Sequence, residues 1–169
     1  MSGAALLVSA AVAAPLLLAL ALPASLFGSA PTDREWQAAA SEVRIVDGET
    51  LGLGERIVRL AGIAAPARGD ACRNRAGETF DCGGAATAAL TRLVTGRPVS
   101  CRIVGQDGFG RGLGQCESGG TDLGRTLVGN GFAVATAATL RPAETAARDA
   151  GQGLWAHPAG APADWRTRN

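Results

Sequence analysis

Between Ser2 and Thr32 the chain carries no charged side chain, and its centre reads Ala11-Val12-Ala13-Ala14-Pro15-Leu16-Leu17-Leu18-Ala19-Leu20-Ala21-Leu22. A helix built into a soluble core would show a polar face at helical spacing, and this segment shows none. Residues 1–30 therefore read as a signal peptide or an N-terminal membrane anchor. Gly28-Ser29-Ala30 supplies the small residues a signal peptidase needs, which favours cleavage. On the other side, residues 4–27 are apolar enough to span a bilayer, and no Lys or Arg marks an n-region. On either reading, residues 31–169 are expected outside the cytoplasm: secreted, periplasmic, or held at the membrane with the domain outside. What remains of the 169 residues is enough for one ordinary domain.

All 16 basic residues are arginine, and 15 acidic residues leave a net charge of +1. A chain so balanced does not grip nucleic acid by bulk charge, so any phosphate recognition rests on a few placed arginines. The four cysteines fall into two close pairs, Cys72/Cys82 and Cys101/Cys116. Export permits disulfides, and an even count with short loops fits two bridges, although four cysteines allow three pairings. Zinc is the rival reading. It requires tighter ligand spacing than these cysteines have, and only His157 could add an imidazole.

Residues 31–41 read as a linker or short helix leading to a domain over 42–156, with 157–169 as a tail. Val43–Val46, Thr50–Leu53 and Arg56–Leu60 read as a three-stranded meander turned at Asp47-Gly48 and Gly54-Glu55. Residues 64–82 read as a long irregular stretch, of a length uncommon in compact domains unless functional or tied down. A helix over 85–94 follows, with Ala86, Leu90, Leu93 and Val94 on one face and Gly96 at its end. Strands over 99–104 and 113–116 flank a glycine-rich turn. Thr121 or Asp122 caps a second helix, and a third starts near Pro142 and stops before Gly151. The fold class expected is α+β, mainly β: a five-stranded Greek-key barrel of the OB type with about three helices.

Several motifs recur in one order: Val46-Asp47-Gly48-Glu49-Thr50, Arg59-Leu60-Ala61-Gly62-Ile63-Ala64-Ala65-Pro66, Asp107-Gly108-Phe109-Gly110-Arg111, Leu127-Val128-Gly129-Asn130-Gly131-Phe132-Ala133 and Gly153-Leu154-Trp155. Each is weak alone, since an isolated Asp-Gly is usually only a turn. As a set the motifs resemble the staphylococcal-nuclease-like (thermonuclease) family over about Val43 to Trp155. The cysteine pattern and the closing Ala163-Asp164-Trp165-Arg166 are similar to its exported bacterial members.

The resemblance implies an OB-fold with a cleft in which Ca²⁺, held by carboxylates, polarises a phosphodiester of DNA or RNA. A carboxylate base activates water and arginines neutralise charge. Carried onto this chain, Arg59 and Arg111 are the phosphate arginines. Glu49 stands where the family has a calcium Asp, with Asp47 a nearby carboxylate. Ala64 replaces the second calcium Asp, Ala65 fills a position whose carbonyl assists the metal, and Ala67 replaces the base. Loss of a positioned base costs about 10²–10⁴ in rate, and alanine offers no donor to a metal. Asp70, three residues past Ala67, is the one candidate for a displaced carboxylate. Calcium is thus expected only in an active protein, with no tight binding here. Three functions stay in view: a catalytically degenerate module binding single-stranded nucleic acid or a protein, a weak calcium-dependent nuclease, and a structural envelope domain. An ordinary ion pair of either arginine with Asp47 or Glu49 competes with phosphate contact.

Overall fold

The computed structural model describes residues 34–74 and 76–156. The apolar leader and the tail at 157–169, with His157, lie outside them. Among the described residues no helix is long and apolar enough to cross a membrane.

The main sheet is mixed, with strand order β1-β8-β9-β4-β3-β2 and β10 added to β9. Its strands are β1 (Glu35–Ala38), β2 (Val43–Ile45), β3 (Thr50–Leu53), β4 (Arg56–Leu60), β8 (Val99–Gln106), β9 (Gly112–Ser118) and β10 (Thr121–Asp122). The meander β2–β3–β4 is antiparallel, whereas β4 runs parallel to β9 through Val58↔Gly112, Arg59↔Leu113 and Leu60↔Gly114. Two short pairings lie outside this sheet. β5 (Ile63–Ala64) meets β11 (Val134–Ala135), and β6 (Ala71–Arg73) meets β7 (Thr79–Asp81). Among the described residues three α-helices complete the domain: α1 (Cys82–Val94), α2 (Leu123–Gly129) and α3 (Arg141–Asp149). This is the mainly β, α+β architecture expected, and the five strands read from the sequence are β2, β3, β4, β8 and β9.

Two expectations are corrected. Residues 35–38, placed in a linker or short helix, form β1 and pair with β8 from Glu35↔Arg102 to Ala38↔Val99. Trp36 packs against the core and Ala38 is buried in it, and that burial holds so short a strand in place. The stretch at 64–82 is not irregular throughout, because Ala64 ends β5 and the β6–β7 hairpin lies within it.

The helix starts follow from their caps. The Asp81 side chain accepts from the Gly84 amide at 2.7 Å, and Asp122 accepts from the Arg125 amide at 2.8 Å. Each satisfies an amide that the helix itself leaves open. Gly83 in the first turn of α1 is required by packing. A Cβ there would stand 1.9 Å from the Ala67 carbonyl oxygen, so the loop before the hairpin lies directly on the helix.

The main core gathers Leu51, Leu53, Val58, Leu60 and Ile63 with Leu90 and Val94 of α1 and Leu123, Leu127 and Val128 of α2. A second, smaller cluster joins Ala64, Cys82, Val134 and Leu154, with Cys72, Phe80 and Trp155 packed against it. Both expected disulfides are formed: Cys72–Cys82 with Cα atoms 5.6 Å apart and Cys101–Cys116 at 4.0 Å.

Candidate functional site

The Asp47–Thr50 turn, the end of β4 and the segment just after β5 meet at one place. Thr50 pairs with Arg59 across β3 and β4, and the Leu60 amide donates to the Glu49 carbonyl at 2.8 Å. This register sets the Glu49 side chain beside Arg59. Arg59 Nε donates to Glu49 Oε1 at 2.7 Å, and the Ala65 amide donates to Glu49 Oε2 at 2.8 Å. Both carboxylate oxygens are thus engaged by the protein, on side chains only 16% (Glu49) and 7% (Arg59) exposed. Asp47 faces its own turn, its Oδ1 accepting from the Glu49 amide at 2.9 Å. Gly48 admits the close fit beneath, since a Cβ there would stand 2.6 Å from Ala86 Cβ and 3.1 Å from Ala65 Cβ.

The other positions are placed as follows. Ala64 is buried in the second apolar cluster against Cys82, Val134 and Leu154. The Ala67 amide donates to Asp70 Oδ2 at 2.9 Å, so Asp70 closes its own loop and is not free as a displaced base. Arg68, which the sequence reading passed over, donates through Nε and a terminal nitrogen to the Val46 carbonyl at 3.0 and 2.8 Å. It ties this loop to the end of the first hairpin strand. An Arg two residues after Pro66 was the only signal available for it.

Arg111 is partnered neither by Asp47 nor by Glu49. Its Nε donates to Asp107 Oδ2 at 2.6 Å within the β8–β9 turn, and the amides of Phe109 and Arg111 donate to Oδ1 at 2.9 and 3.0 Å. Burial raises the Asp107 pKa. The Arg111 side-chain hydrogen bond, the two amides and the guanidinium charge outweigh this and hold it below the ordinary 3.8. A carboxyl held low in the folded state stabilises the fold fully above its unfolded value, and that contribution is lost as pH falls through the lower folded value. The gap in stability between the natural protein and Asp107→Asn is therefore expected to be constant above about pH 5 and to shrink below pH 4. Urea titrations of both proteins across pH 2–7 check this.

Calcium asks for six to eight oxygen ligands. The donor set here does not fit it: Glu49 is braced through both oxygens, and positions 64 and 67 carry methyl groups. The Thr50 hydroxyl, buried with no protein partner, is a single weak ligand on the neighbouring residue. Among the described residues no group of three or more His, Cys, Asp or Glu side chains converges on one point. The geometry brings Glu49, Arg59 and Ala65 into one hydrogen-bonded unit and leaves Arg111 in another.

In comparisons with known proteins, the family model described as staphylococcal nuclease homologue matches residues 57–157. The chain is also similar to the succinoglycan biosynthesis protein ExoI of Rhizobium meliloti (strain 1021), 30% identical over 120 residues. That alignment covers 68% of this chain and 63% of ExoI, so the matched region spans less than two thirds of the relative's length.

Proposed function

Because the chain belongs to the staphylococcal nuclease homologue family, we propose that it is an extracytoplasmic OB-fold binding module whose hydrolytic centre has become a structural brace. The observation that carries this reading is the double engagement of Glu49 by Arg59 and the Ala65 amide. The family is generally calcium-dependent. In this chain the remaining carboxylate that could face a metal serves the protein instead, and no carboxylate stands at the position of the base. Two disulfides fit an oxidising compartment, as does an apolar leader.

The partner we favour is single-stranded nucleic acid. Phe109 is 87% exposed at the tip of the β8–β9 turn, with the Arg111 guanidinium 5.3 Å from its ring centre. An exposed aromatic beside an arginine is a stacking platform for a base next to a phosphate. A second reading comes from the relative named for succinoglycan biosynthesis: the partner is then an extracellular polysaccharide.

Oxidised protein is expected to leave denatured DNA intact both with calcium and with chelator. Millimolar calcium is expected to leave its melting temperature unchanged, because only a ligand of the native state raises it. Calcium-dependent cleavage that disappears in Glu49→Gln would overturn the proposal. Filter binding separates the partners. Retention of single-stranded DNA that weakens with salt and drops in Phe109→Ala supports nucleic acid, and retention of polysaccharide alone supports the second reading. Binding of neither leaves a structural envelope domain.

A further inference from the structure

The two disulfides hold different things. Cys101–Cys116 joins directly opposite residues of β8 and β9 inside the main core, where the two residues are 2% and 4% exposed. Cys72–Cys82 joins the β6–β7 hairpin to the first residue of α1, with Cys82 buried and Cys72 only partly so. Along the hairpin strands, Ala71, Arg73, Thr79 and Asp81 are exposed. Only Cys72 and its cross-strand partner Phe80 turn inward, onto the small cluster of Ala64, Val134 and Leu154. A two-stranded hairpin is marginal on its own. Asn74 closes its turn, its side-chain oxygen accepting from the Ala76 and Glu78 amides at 2.9 Å, while the inward rung and the disulfide fasten it to the small cluster. The loop ahead of it is fastened at the same point. The Gly83 amide donates to the Asp70 carbonyl at 3.1 Å, and the Asp70 carboxylate holds the Ala67 amide.

We propose that Cys72–Cys82 is a reducible latch on the segment from Ala65 to Asp81, whereas Cys101–Cys116 is a permanent staple of the sheet. A dithiol reductant supplies the two electrons and two protons. Its thiolate attacks Cys72 Sγ, on the less buried of the two half-cystines, and the Cys72–Cys82 bond breaks. Cys82 departs as a thiolate in the first turn of α1, where the helix dipole favours negative charge. The second thiol of the reductant then displaces Cys72, leaving two protein thiols and one oxidised reductant. With the tie cut, the hairpin loosens along with the loop that carries Ala65 and Ala67 beside the Glu49–Arg59 brace. The sheet keeps its own crosslink and stays folded. The inference rests on where the cysteines lie, and it stands whether or not the site binds nucleic acid.

Full-length oxidised protein is exposed to rising dithiothreitol in native buffer, quenched with a maleimide and mapped by peptide mass. Cys72 and Cys82 are expected to label at least roughly 100-fold faster than Cys101 and Cys116, because the buried pair needs opening of the core. Trypsin cleavage after Arg73 is expected to rise in step, with the circular dichroism of the sheet unchanged. Labelling of all four cysteines together as the dichroism collapses would overturn the proposal, as would earlier labelling of Cys101 and Cys116. A Cys72→Ser/Cys82→Ser variant supplies the second measurement. It is expected to fold without reductant and to be cut after Arg73, and its failure to fold would equally overturn the latch.

Discussion

Replacing Glu49 with alanine is expected to remove about 3–5 kcal/mol of stability, the usual cost of stripping one partner from a buried ion pair. The Arg59 guanidinium is almost fully buried and would lose the carboxylate at 2.7 Å. The Ala65 amide would lose its acceptor at the same time. Against the roughly 5–15 kcal/mol that holds an ordinary domain folded, such a loss is a large fraction of the whole. Urea denaturation with an unchanged slope would report it. Adding Arg59→Met to Glu49→Ala is expected to recover part of the loss, since a pair replaced by apolar side chains leaves no orphaned charge. A single-variant loss below about 1 kcal/mol would place Glu49–Arg59 among solvent-screened surface pairs and undo the reading of the site as a brace.

The substitution that restores the family's residue, Ala64→Asp, is expected to cost about 3 kcal/mol or more at neutral pH. Ala64 packs among Cys82, Val134 and Leu154, where a carboxylate finds no partner. It would also stand one residue from the amide that Glu49 already holds. An ionised group in such surroundings either destabilises the fold or is forced to take up a proton. Melting curves with chelator and with calcium decide the matter. The deficit is expected to be the same in both. Recovery of the melting temperature by calcium in Ala64→Asp would mean that a metal pocket persists and lacks only its ligand.

Much of the fold was legible because its punctuation is local. Asp-Gly and Gly-Glu turns bound the meander, Asp122 caps α2, and Pro142 lies in the first turn of α3. β1 was missed because Glu35-Trp36-Gln37-Ala38 is too short to declare a period. Its strand conformation comes from a ladder with residues 99–102, far along the chain. The β6–β7 hairpin was missed for a related reason: its inward residues are a half-cystine and a single phenylalanine, not an alternating apolar run. At the site, the sequence located Glu49, Arg59 and the alanines but could not say how Glu49 is used. One added methylene is a small change on paper. Whether the carboxylate meets a metal ion or a guanidinium depends on the β3–β4 register. Arg111 shows the same limit in reverse, for its partner Asp107 sat four residues away inside a motif already in view.

The rung at which β1 meets β8 has a mechanical meaning. Trp36 lies opposite Cys101, and Cys101 lies opposite Cys116, so three strands are joined across one line, the last two of them covalently. Tension applied to the chain ahead of Glu35 enters the domain through β1 and passes into β8 at that line. There β8 cannot slide past β9 without breaking a sulfur–sulfur bond. Under such a load β8 and β9 therefore move as one body, with the turn that carries Phe109 attached to both. A domain built this way can be dragged by its leading end without a change in the β8–β9 register.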